Sequence, residues 1–495
     1  MSKRASESKP ALCGPVLQIV LPLEGASDTA SSPSERAERV SGAATPAAVK
    51  KEAKPHKYYS LYDKVYSPRN LEQAWKRVQA NKGSAGCDGQ TIEQFALHEA
   101  ENLARLHEQL RTKQYRPQPV KRVEISKTGG GKRPLGIPTV RDRIVQQAVL
   151  QVLSPIFEEK FSPHSHGFRP GRGCETALDV VDRALRYGYE FVVDADISKF
   201  FDSVDHELLL ERMNEQIADG SVLKLVRAFL ESGVLVAGER EETTGVGTPQ
   251  GGPLSPLLAN IYLHPFDEAM QAHKLGLVRY ADDFVIFAKS SEEAGKALEI
   301  AEQVLTGLKL RLHPEKTRIA AIDEGFDFLG YRYVRDKKGK LQKVVGRKAQ
   351  RRFRDSVREW TPRHAGQKRP KAKACSLKRL KGNKRILAMI AKVSEYLGDW
   401  HGYFRGVRTD WHGYWQGLDG YIRQRLRNAI LGRYAKGHWN QRLSNALFAE
   451  LGLTTLTALH SGFPQEPLKA APNPGGPAGA VCGSSARTVR TGRGG

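Results

Sequence analysis

The sequence predicts an α+β protein with a central antiparallel sheet, followed by a helical and strongly basic C-terminal region. The adjacent acids Asp282 and Asp283 stand between two apolar runs, a pattern typical of a tight β-hairpin. Residues 191–197 alternate like a strand that carries Asp196 near its end and continues into a helix. Residues 331–440 carry 30 Lys and Arg but 7 Asp and Glu, so nearly all of the net charge of +24 lies there.

The acid pair predicts a divalent metal site. Two carboxylates beside apolar strands repel each other and lose hydration unless a cation neutralises them. No cysteine or histidine cluster lies near them in the sequence, and oxygen ligands suit Mg²⁺. Two Mg²⁺ ions about 3.5–4 Å apart are the usual apparatus of nucleotidyl transfer, and Asp196 supplies a carboxylate from a second strand. A solvated Asp-Asp turn is the alternative, and Asp194 is interpreted as a surface or capping acid.

Phe201 follows Asp196 by a few residues and suits a position against the sugar of an incoming nucleotide. There its ring would clash with a 2′-hydroxyl, the group that distinguishes RNA precursors from DNA precursors. This arrangement favours deoxynucleoside triphosphates (dNTPs). The alternative is that Phe201 is an ordinary core residue.

The two acidic stretches together resemble motifs A and C of reverse transcriptases. Residues 129–148, 166–172 and 247–260 resemble further motifs of bacterial group II intron reverse transcriptase/maturases and follow in the family's order. The resemblance covers about residues 57–460. It implies a right-hand polymerase, in which fingers and palm with a central antiparallel sheet precede an α-helical thumb or maturase domain.

The resemblance also implies roles for individual residues. Arg133 and Arg143 are expected to contact the dNTP phosphates, Gln250 to line the dNTP pocket, and Lys316 to protonate the pyrophosphate leaving group. The alternatives are that the two arginines lie in a solvated loop, that Gln250 lies in a turn that begins a helix, and that Lys316 is an ordinary surface lysine. Two further arginines, Arg169 and Arg172, flank a turn and are expected to contact template phosphate. The Mg²⁺ ligands would be the three acids and the backbone carbonyl, namely Asp196, Asp282, Asp283 and Ile197.

Helical periods predict three helices that frame these motifs, at residues 254–263, 291–308 and 421–434. The last has one apolar side that packs, while its other side meets solvent or RNA. That polar side carries Arg423, Arg425 and Arg427. Aromatic residues of the basic region are more often core than platforms for bases, so we expect most of the tryptophans to be buried and Lys and Arg to carry the binding of nucleic acid.

Composition agrees with a polyanionic partner. A net charge of +24 suits nucleic acid. The five cysteines show neither disulfide nor zinc spacing, which fits a reducing compartment. No segment approaches about 18 uninterrupted apolar residues. We therefore expect no membrane partner and a location in the bacterial cytoplasm.

Five segments are expected along the chain. They are a disordered leader at 1–56, a helical N-terminal extension at 57–120, reverse transcriptase fingers and palm at 121–345, a helical basic thumb or maturase domain (domain X) at 346–461, and a disordered tail at 462–495. The end of the thumb segment is a candidate DNA-binding remnant. Family members with an endonuclease carry a module with cysteine pairs after the thumb. Only Cys482 stands there, so no endonuclease is expected.

The function that follows is RNA-directed DNA polymerisation, a nucleotidyltransferase activity. By resemblance the protein also binds its group II intron RNA as a ribonucleoprotein and assists splicing and mobility by target-primed reverse transcription on a DNA target. One alternative is a splicing-only RNA-binding maturase, against which the three aspartates argue. Another is a domesticated reverse transcriptase in DNA repair or phage defence, which would share every motif. Homo-oligomerisation is left open.

Overall fold

Short strands alternate with helices throughout the part of the chain that the computed structural model describes. These are residues 57–126, 132–236, 239–241, 245–248, 251–362, 377–409, 413–431 and 442–462. The predicted leader and nearly all of the predicted tail lie outside them. The strands within the described residues are β1 (Val120–Ser126), β2 (Lys132–Ile137), β3 (Phe191–Asp196), β4 (Val234–Val236), β5 (Glu239–Glu241), β6 (Gly276–Tyr280), β7 (Asp283–Ala288), β8 (Arg318–Ala321), β9 (Phe326–Phe328), β10 (Tyr331–Arg335) and β11 (Leu341–Val345).

Helices supply most of the remaining ordered structure. In chain order they are α1 (Tyr62–Tyr66), α2 (Pro68–Ala80), α3 (Ile92–Leu97), α4 (Glu99–Arg111), α5 (Val140–Glu158), α6 (Cys174–Arg186), α7 (Phe200–Ser203), α8 (His206–Gln216), α9 (Gly220–Leu230), α10 (Ser255–Ala272), α11 (Ser291–Gly307), α12 (Arg347–Trp360), α13 (Leu377–Lys381), α14 (Lys384–Phe404), α15 (Tyr414–Leu431), α16 (Asn445–Glu450) and α17 (Leu456–Ser461). None of these helices is long and apolar enough to cross a membrane.

The central sheet has the strand order β6-β7-β3-β8, and every neighbouring pair in it is antiparallel. Alternate residues of β7 enter two different hydrophobic cores, with Phe284 and Ile286 in the first and Val285 and Phe287 in the second. Successive side chains of a strand point to opposite faces, so both faces of the sheet are covered. β7 therefore lies between two cores.

The first core joins the N-terminal helices to one face of the central sheet. Trp75 of α2 is buried, and its ring centroid lies 4.6 Å from that of Phe95 in α3. The hydroxyl of Thr139 accepts a hydrogen bond from the amide of Asp142, which fixes the start of α5. A second sheet has the order β2-β1-β4-β5; β1 and β2 precede α5 in the sequence, β4 and β5 follow α9, and the β1–β4 pair is parallel.

The second core joins the other face of the central sheet to a three-stranded sheet, β11-β10-β9, and to the C-terminal helices α12 to α17. Phe353 of α12 is buried, and its ring centroid lies 4.5 Å from that of Trp400 in α14. Trp415 of α15 is buried as well. The prediction that aromatic residues of the basic region are mostly core is confirmed for Trp400 and Trp415, while Trp411 lies outside the described residues.

A buried ion pair links the three-stranded sheet to α6. The ammonium nitrogen of Lys343 lies 3.1 Å from the Oδ2 atom of Asp182, and both side chains are almost fully buried. The guanidinium of Arg408 lies 3.7 Å from the same oxygen. Burial lowers the pKa of Lys343, and the charge of Asp182 opposes that shift. Asp182 therefore balances two cations inside the second core.

Candidate active site

A two-residue turn, Ala281 and Asp282, joins β6 to β7 and confirms the predicted hairpin. Tyr280 lies opposite Asp283, so the two strands pair up to the turn. Ala281 has a φ of +59°, in the left-handed region where an L side chain is strained by about 1–2 kcal/mol. A positive φ at the first of two turn residues is typical of a type II′ turn, in which glycine usually fills that position. Neighbouring groups must therefore hold this turn in a strained conformation.

The three acids singled out in the sequence meet at one end of the central sheet. Asp196, at the end of β3, lies directly opposite Asp283, at the start of β7. The amide of Ile197 donates a hydrogen bond of 3.3 Å to the carbonyl oxygen of Asp282. Burial raises the pKa of Asp283 well above its usual range, and the charges of neighbouring acids, first that of Asp194, raise it further. The cluster thus concentrates negative charge that repels itself.

The donor chemistry of this cluster fits a divalent cation. Its side-chain donors are carboxylate oxygens, the hard ligands that Mg²⁺ prefers, and a cation would relieve the repulsion that raises the pKa of Asp283. Within the described residues no three Asp, Glu, His or Cys side chains converge closely enough to form a ready metal site. The ammonium of Lys316 bonds to the carboxylate of Asp196. Lys316 therefore supplies a positive charge to the acid cluster.

Phe201 lies in the short helix α7, soon after the strand that carries Asp196. Its ring is buried, and it packs edge-to-face against Phe200 with a centroid distance of 5.2 Å. The carbonyl oxygen of Phe201 accepts a hydrogen bond of 2.7 Å from the amide of Thr248. Both contacts fix the position of the ring. Gln250 lies outside the described residues.

The structure corrects the prediction that Arg169 contacts template phosphate. Its guanidinium is buried, where Nε and Nη2 donate to the carboxylate of Glu158 and Nη1 donates to the carbonyl oxygens of Ser162 and Ser165. These donors hold the chain at 162–169 in place and face no solvent. Arg172 is less buried and donates one bond of 2.7 Å to the carbonyl oxygen of a proline, Pro163.

Arg143 is also buried, against the expectation that it contacts a dNTP. Its Nη2 atom donates a hydrogen bond of 2.6 Å to the carbonyl oxygen of Ser84, and burial lowers its pKa. The backbone of Gly83 leaves room for the guanidinium, because a Cβ there would lie 2.1 Å from Nη1. Arg143 therefore ties α5 to the loop after α2. Arg133 belongs to β2, and its side chain lies outside the described part of the structure.

The three arginines of α15 differ in their surroundings. Arg427 is buried and donates from Nε to the carbonyl oxygen of Leu443, so the fold engages much of its guanidinium, and its contact with nucleic acid stays a prediction. Arg425 donates a hydrogen bond of 2.7 Å to the carbonyl oxygen of Thr361. This bond joins α15 to the end of α12. Arg423 is half-buried. Position on one helix gives no indication of which of the three is engaged by the fold.

Comparison with known proteins decides the family. Residues 125–333 match the family described as "Reverse transcriptase (RNA-dependent DNA polymerase)". Protein YkfC of Escherichia coli K12 is 34% identical over 312 residues, which cover 55% of this chain and 82% of YkfC. Group II intron-encoded protein LtrA of Lactococcus lactis is 33% identical over 341 residues, which cover 55% of this chain and 56% of LtrA. The chain belongs to the group II intron reverse transcriptase/maturase family.

Membership makes this chain a reverse transcriptase, that is, an RNA-directed DNA polymerase. The family uses divalent metal ions. Among solved structures, a chain of a "Partial Cas6-RT-Cas1--Cas2 complex" is 27% identical with a TM-score of 0.32, over 50% of the reverse transcriptase and 42% of that chain. The reverse transcriptase spans about half the length of LtrA.

Two features near the acids escaped the sequence interpretation. Asp194 precedes Asp196 by two residues, so strand alternation alone would have placed both on one face of β3. Its carboxylate lies 3.3 Å from Nε of Arg318, and burial raises its pKa. The second feature is Arg279 of β6, which is completely buried. Its side-chain partners lie 12 to 114 positions away, and no local pattern predicts them.

We expect the substitution Gly167→Ala to slow DNA synthesis by this reverse transcriptase. A Cβ at Gly167 would lie 2.5 Å from the amide nitrogen of Ala281 and 3.1 Å from the carbonyl carbon of Tyr280, and neither backbone atom can rotate away. Such overpacking destabilises by about 1–3 kcal/mol and would displace the turn. Since a shift of about 1 Å can lower a rate on the order of a hundredfold, we expect at least a tenfold loss in primer extension.

The matched control for this change is Gly173→Ser. It alters the same loop region, but a Cβ there meets no atom within 4 Å, and serine suits the N-cap position of α6. Extension rates by the two variants are compared at equal folded protein. Equal rates would mean that the backbone at Gly167 yields without moving the turn.

Proposed function

We propose that this reverse transcriptase synthesises DNA at Asp196, Asp282 and Asp283 with two Mg²⁺ ions. The observation that carries the proposal is the pairing of Asp196 with Asp283 across β3 and β7, next to the turn that holds Asp282. The backbone of Ile197 bonds to the carbonyl oxygen of Asp282. Because the N–H and C=O of an extended residue point to the same side, this bond supports Ile197 as a carbonyl ligand.

The residues of the chain position the reactants. The chemistry supplied by bound Mg²⁺ is activation of the primer 3′-hydroxyl and neutralisation of the dNTP triphosphate. The two ions would be held by Asp196, Asp282 and Asp283. Most of the barrier reduction would then come from positioning and electrostatics. The ammonium of Lys316, already at the carboxylate of Asp196, is placed to hold a proton for the pyrophosphate leaving group.

The proposed anatomy is a right hand. Residues 121–345 form fingers and palm, and residues 346–461 form the thumb, whose last part is a candidate DNA-binding remnant. The helical segment from α1 to α4 would be the N-terminal extension. β9 and β10 correspond to the primer grip, which holds the primer end near the acids.

Binding of intron RNA is assigned to the basic C-terminal helices. Arginines repeat along one face of α12 and line a groove of about 440 Å³ that also contains Gln350 and Asp355; they are Arg347, Arg351, Arg354 and Arg358. Cations spaced in this way suit successive phosphates of an RNA backbone. Arg423 and Arg172 remain candidates for further phosphate contacts.

The proposal predicts a sugar gate at Phe201. We expect Phe201→Ala to raise the incorporation of ribonucleotides relative to dNTPs by roughly 10- to 200-fold, the usual range for a lost steric contact in an apolar pocket. The ring is braced by Phe200, so it cannot yield to a 2′-hydroxyl in the wild-type protein. The measurement is single-nucleotide addition with each substrate. An unchanged ratio would make Phe201 a core residue only.

The proposed function is tested by extension of a DNA primer on an RNA template with dNTPs and Mg²⁺. The control is the double variant Asp282→Ala/Asp283→Ala, purified in the same way. Extension that the control lacks supports polymerisation at these acids. A wild-type protein that fails to extend but binds structured intron RNA tightly would instead be a splicing factor with an inactive polymerase site.

A further inference from the structure

Arg279 precedes Tyr280 at the end of β6, and its guanidinium is completely buried with all five N–H groups bonded. Nε and Nη2 each donate to the carboxylate of Asp267, at 2.6 and 2.5 Å. Nη1 donates to the side-chain oxygen of Asn260 at 3.2 Å and to the carbonyl oxygen of Ala281 at 2.9 Å. Nη2 also donates to the hydroxyl of Ser165 at 2.9 Å. No donor of the group is left for a ligand.

These acceptors belong to three separate elements. Asn260 and Asp267 both lie on α10, two helical turns apart and therefore on one face. Ser165 belongs to the loop between α5 and α6, and its residue pairs with Arg279 in a parallel β-bridge. Ala281 is the strained first residue of the hairpin turn. One guanidinium thus joins a helix, a loop and the turn.

The same elements meet again on the other side of the turn. The side-chain nitrogen of Asn260 donates a bond of 2.9 Å to the carbonyl oxygen of Gly167. Gly167 in turn packs its backbone against the amide of Ala281. Ala281 is therefore held through its carbonyl by Arg279 and confined at its amide by a loop that α10 anchors. This is the support that its left-handed conformation requires.

We infer that Arg279 and Asp267 form a clamp that sets the position of Asp282 and Asp283. The inference rests on the proposed polymerase function, and it makes Arg279 a positioning residue because all of its donors bond to groups of the chain itself. Asp267 neutralises the buried cation and orients its fork, while the bond to Ala281 transmits that orientation to the next two residues. Asp282 and Asp283 then occupy one fixed position when the dNTP binds.

Lysine cannot replace arginine in this clamp. A guanidinium is planar and offers five donors in a rigid fork, whereas an ammonium offers three donors around one point. A lysine would keep the charge beside Asp267 but could not reach Asp267, Ser165 and Ala281 together. The variant Arg279→Lys therefore removes the clamp but keeps the positive charge.

The test is single-turnover addition of one nucleotide by Arg279→Lys on an RNA template with a DNA primer. We expect the maximal rate to fall on the order of a hundredfold, as for a misplacement of about 1 Å. The apparent affinity for dNTP and for template and primer should stay within about threefold, because the clamp lies behind the acids. Rates are expressed per folded protein, measured by circular dichroism.

Two further variants keep the test decisive. Leu263→Ala removes a fully buried side chain on α10, between Asn260 and Asp267, and should destabilise the protein without changing the rate per folded molecule. If Arg279→Lys does not fold, Arg279→Met/Asp267→Leu removes the pair as a unit and avoids an unpaired buried charge. We expect this double variant to fold, bind template and primer, and lose the same factor in rate.

The inference would be overturned if the variant that folds, Arg279→Lys or the double variant, had the wild-type rate per folded protein. Arg279 would then be a structural residue only. The same follows if Leu263→Ala lowers the rate as much as Arg279→Lys does. Failure of the proposed function has a different signature, since the wild-type protein would then show no extension above the Asp282→Ala/Asp283→Ala control. The two outcomes cannot be confused.

Discussion

Replacing Asp283 by asparagine will abolish DNA synthesis and, at the same time, make the metal-free protein more stable. The side chain keeps its shape but loses a charge that neighbouring acids oppose and that burial disfavours. Loss of a ligand that holds catalytic charge lowers the rate by at least about 10³-fold. Relief of the repulsion should add about 0.5–2 kcal/mol to the free energy of unfolding, as often happens when an active site is disarmed.

Single-turnover extension and thermal unfolding in EDTA measure the two effects. Asp323→Asn is the matched control, because Asp323 is exposed and its ion pair with Arg335 is long, at 3.4 Å. It should change neither the rate nor the melting temperature appreciably. The gain for Asp283→Asn should shrink when Mg²⁺ is added, since only the wild-type cluster binds the ion tightly. A variant that is less stable than wild type in EDTA would contradict the proximity of the acids.

The largest loss of stability outside the site is expected for Asp182→Leu. Asp182 is the carboxylate that Lys343 and Arg408 share inside the second core. Its removal leaves a buried ammonium without a counter-charge, and breaking a buried pair in this way destabilises by about 3–5 kcal/mol. The measurement is urea unfolding followed by tryptophan fluorescence, which reports on this core through Trp400 and Trp415.

The reciprocal change, Lys343→Met, should be milder. Arg408 still stands 3.7 Å from Asp182 in that variant, so the carboxylate retains a cation. Asp182→Leu/Lys343→Met should recover much of the lost stability because it removes both charges together. A double variant as unstable as Asp182→Leu alone would show that packing, and not charge, dominates at this position.

The sequence was most informative where local pattern and chemistry coincide. The apolar runs around Asp282 and Asp283 predicted a hairpin, and β6 and β7 form it with a two-residue turn. The alternation before Asp196 predicted β3. The helix predicted at 291–308 is α11. In each case the spacing of apolar residues matches the period of the helix or strand, so the sequence alone indicates which side is buried.

Two helix boundaries were less accurate. The helix expected at 254–263 continues to Ala272 and includes Pro265. The helix expected from 421 begins at Tyr414, because aromatic residues that the period did not include pack into the second core. Tertiary packing decides where these helices begin and end.

The arginines show what a sequence cannot supply. Arg169 and Arg279 look like other cations of a basic chain, yet each is buried with its donors satisfied. The serine that accepts from Arg279 stands 114 positions away. A count of charges predicts a polyanionic partner for the whole chain, but only the fold shows which guanidinium groups remain for that partner and which are structural.

The position of β7 between two cores limits how this protein can be divided. Val285 and Phe287 lie on the reverse side of the strand that begins with Asp283, and the C-terminal helices contribute to the core that covers them. A fragment that ends near residue 345 would present this surface to water, and exposed apolar patches of that kind promote aggregation. The central sheet and the C-terminal helices are therefore not separable modules. Any rearrangement of the C-terminal helices during evolution had to preserve the apolar lining behind β7.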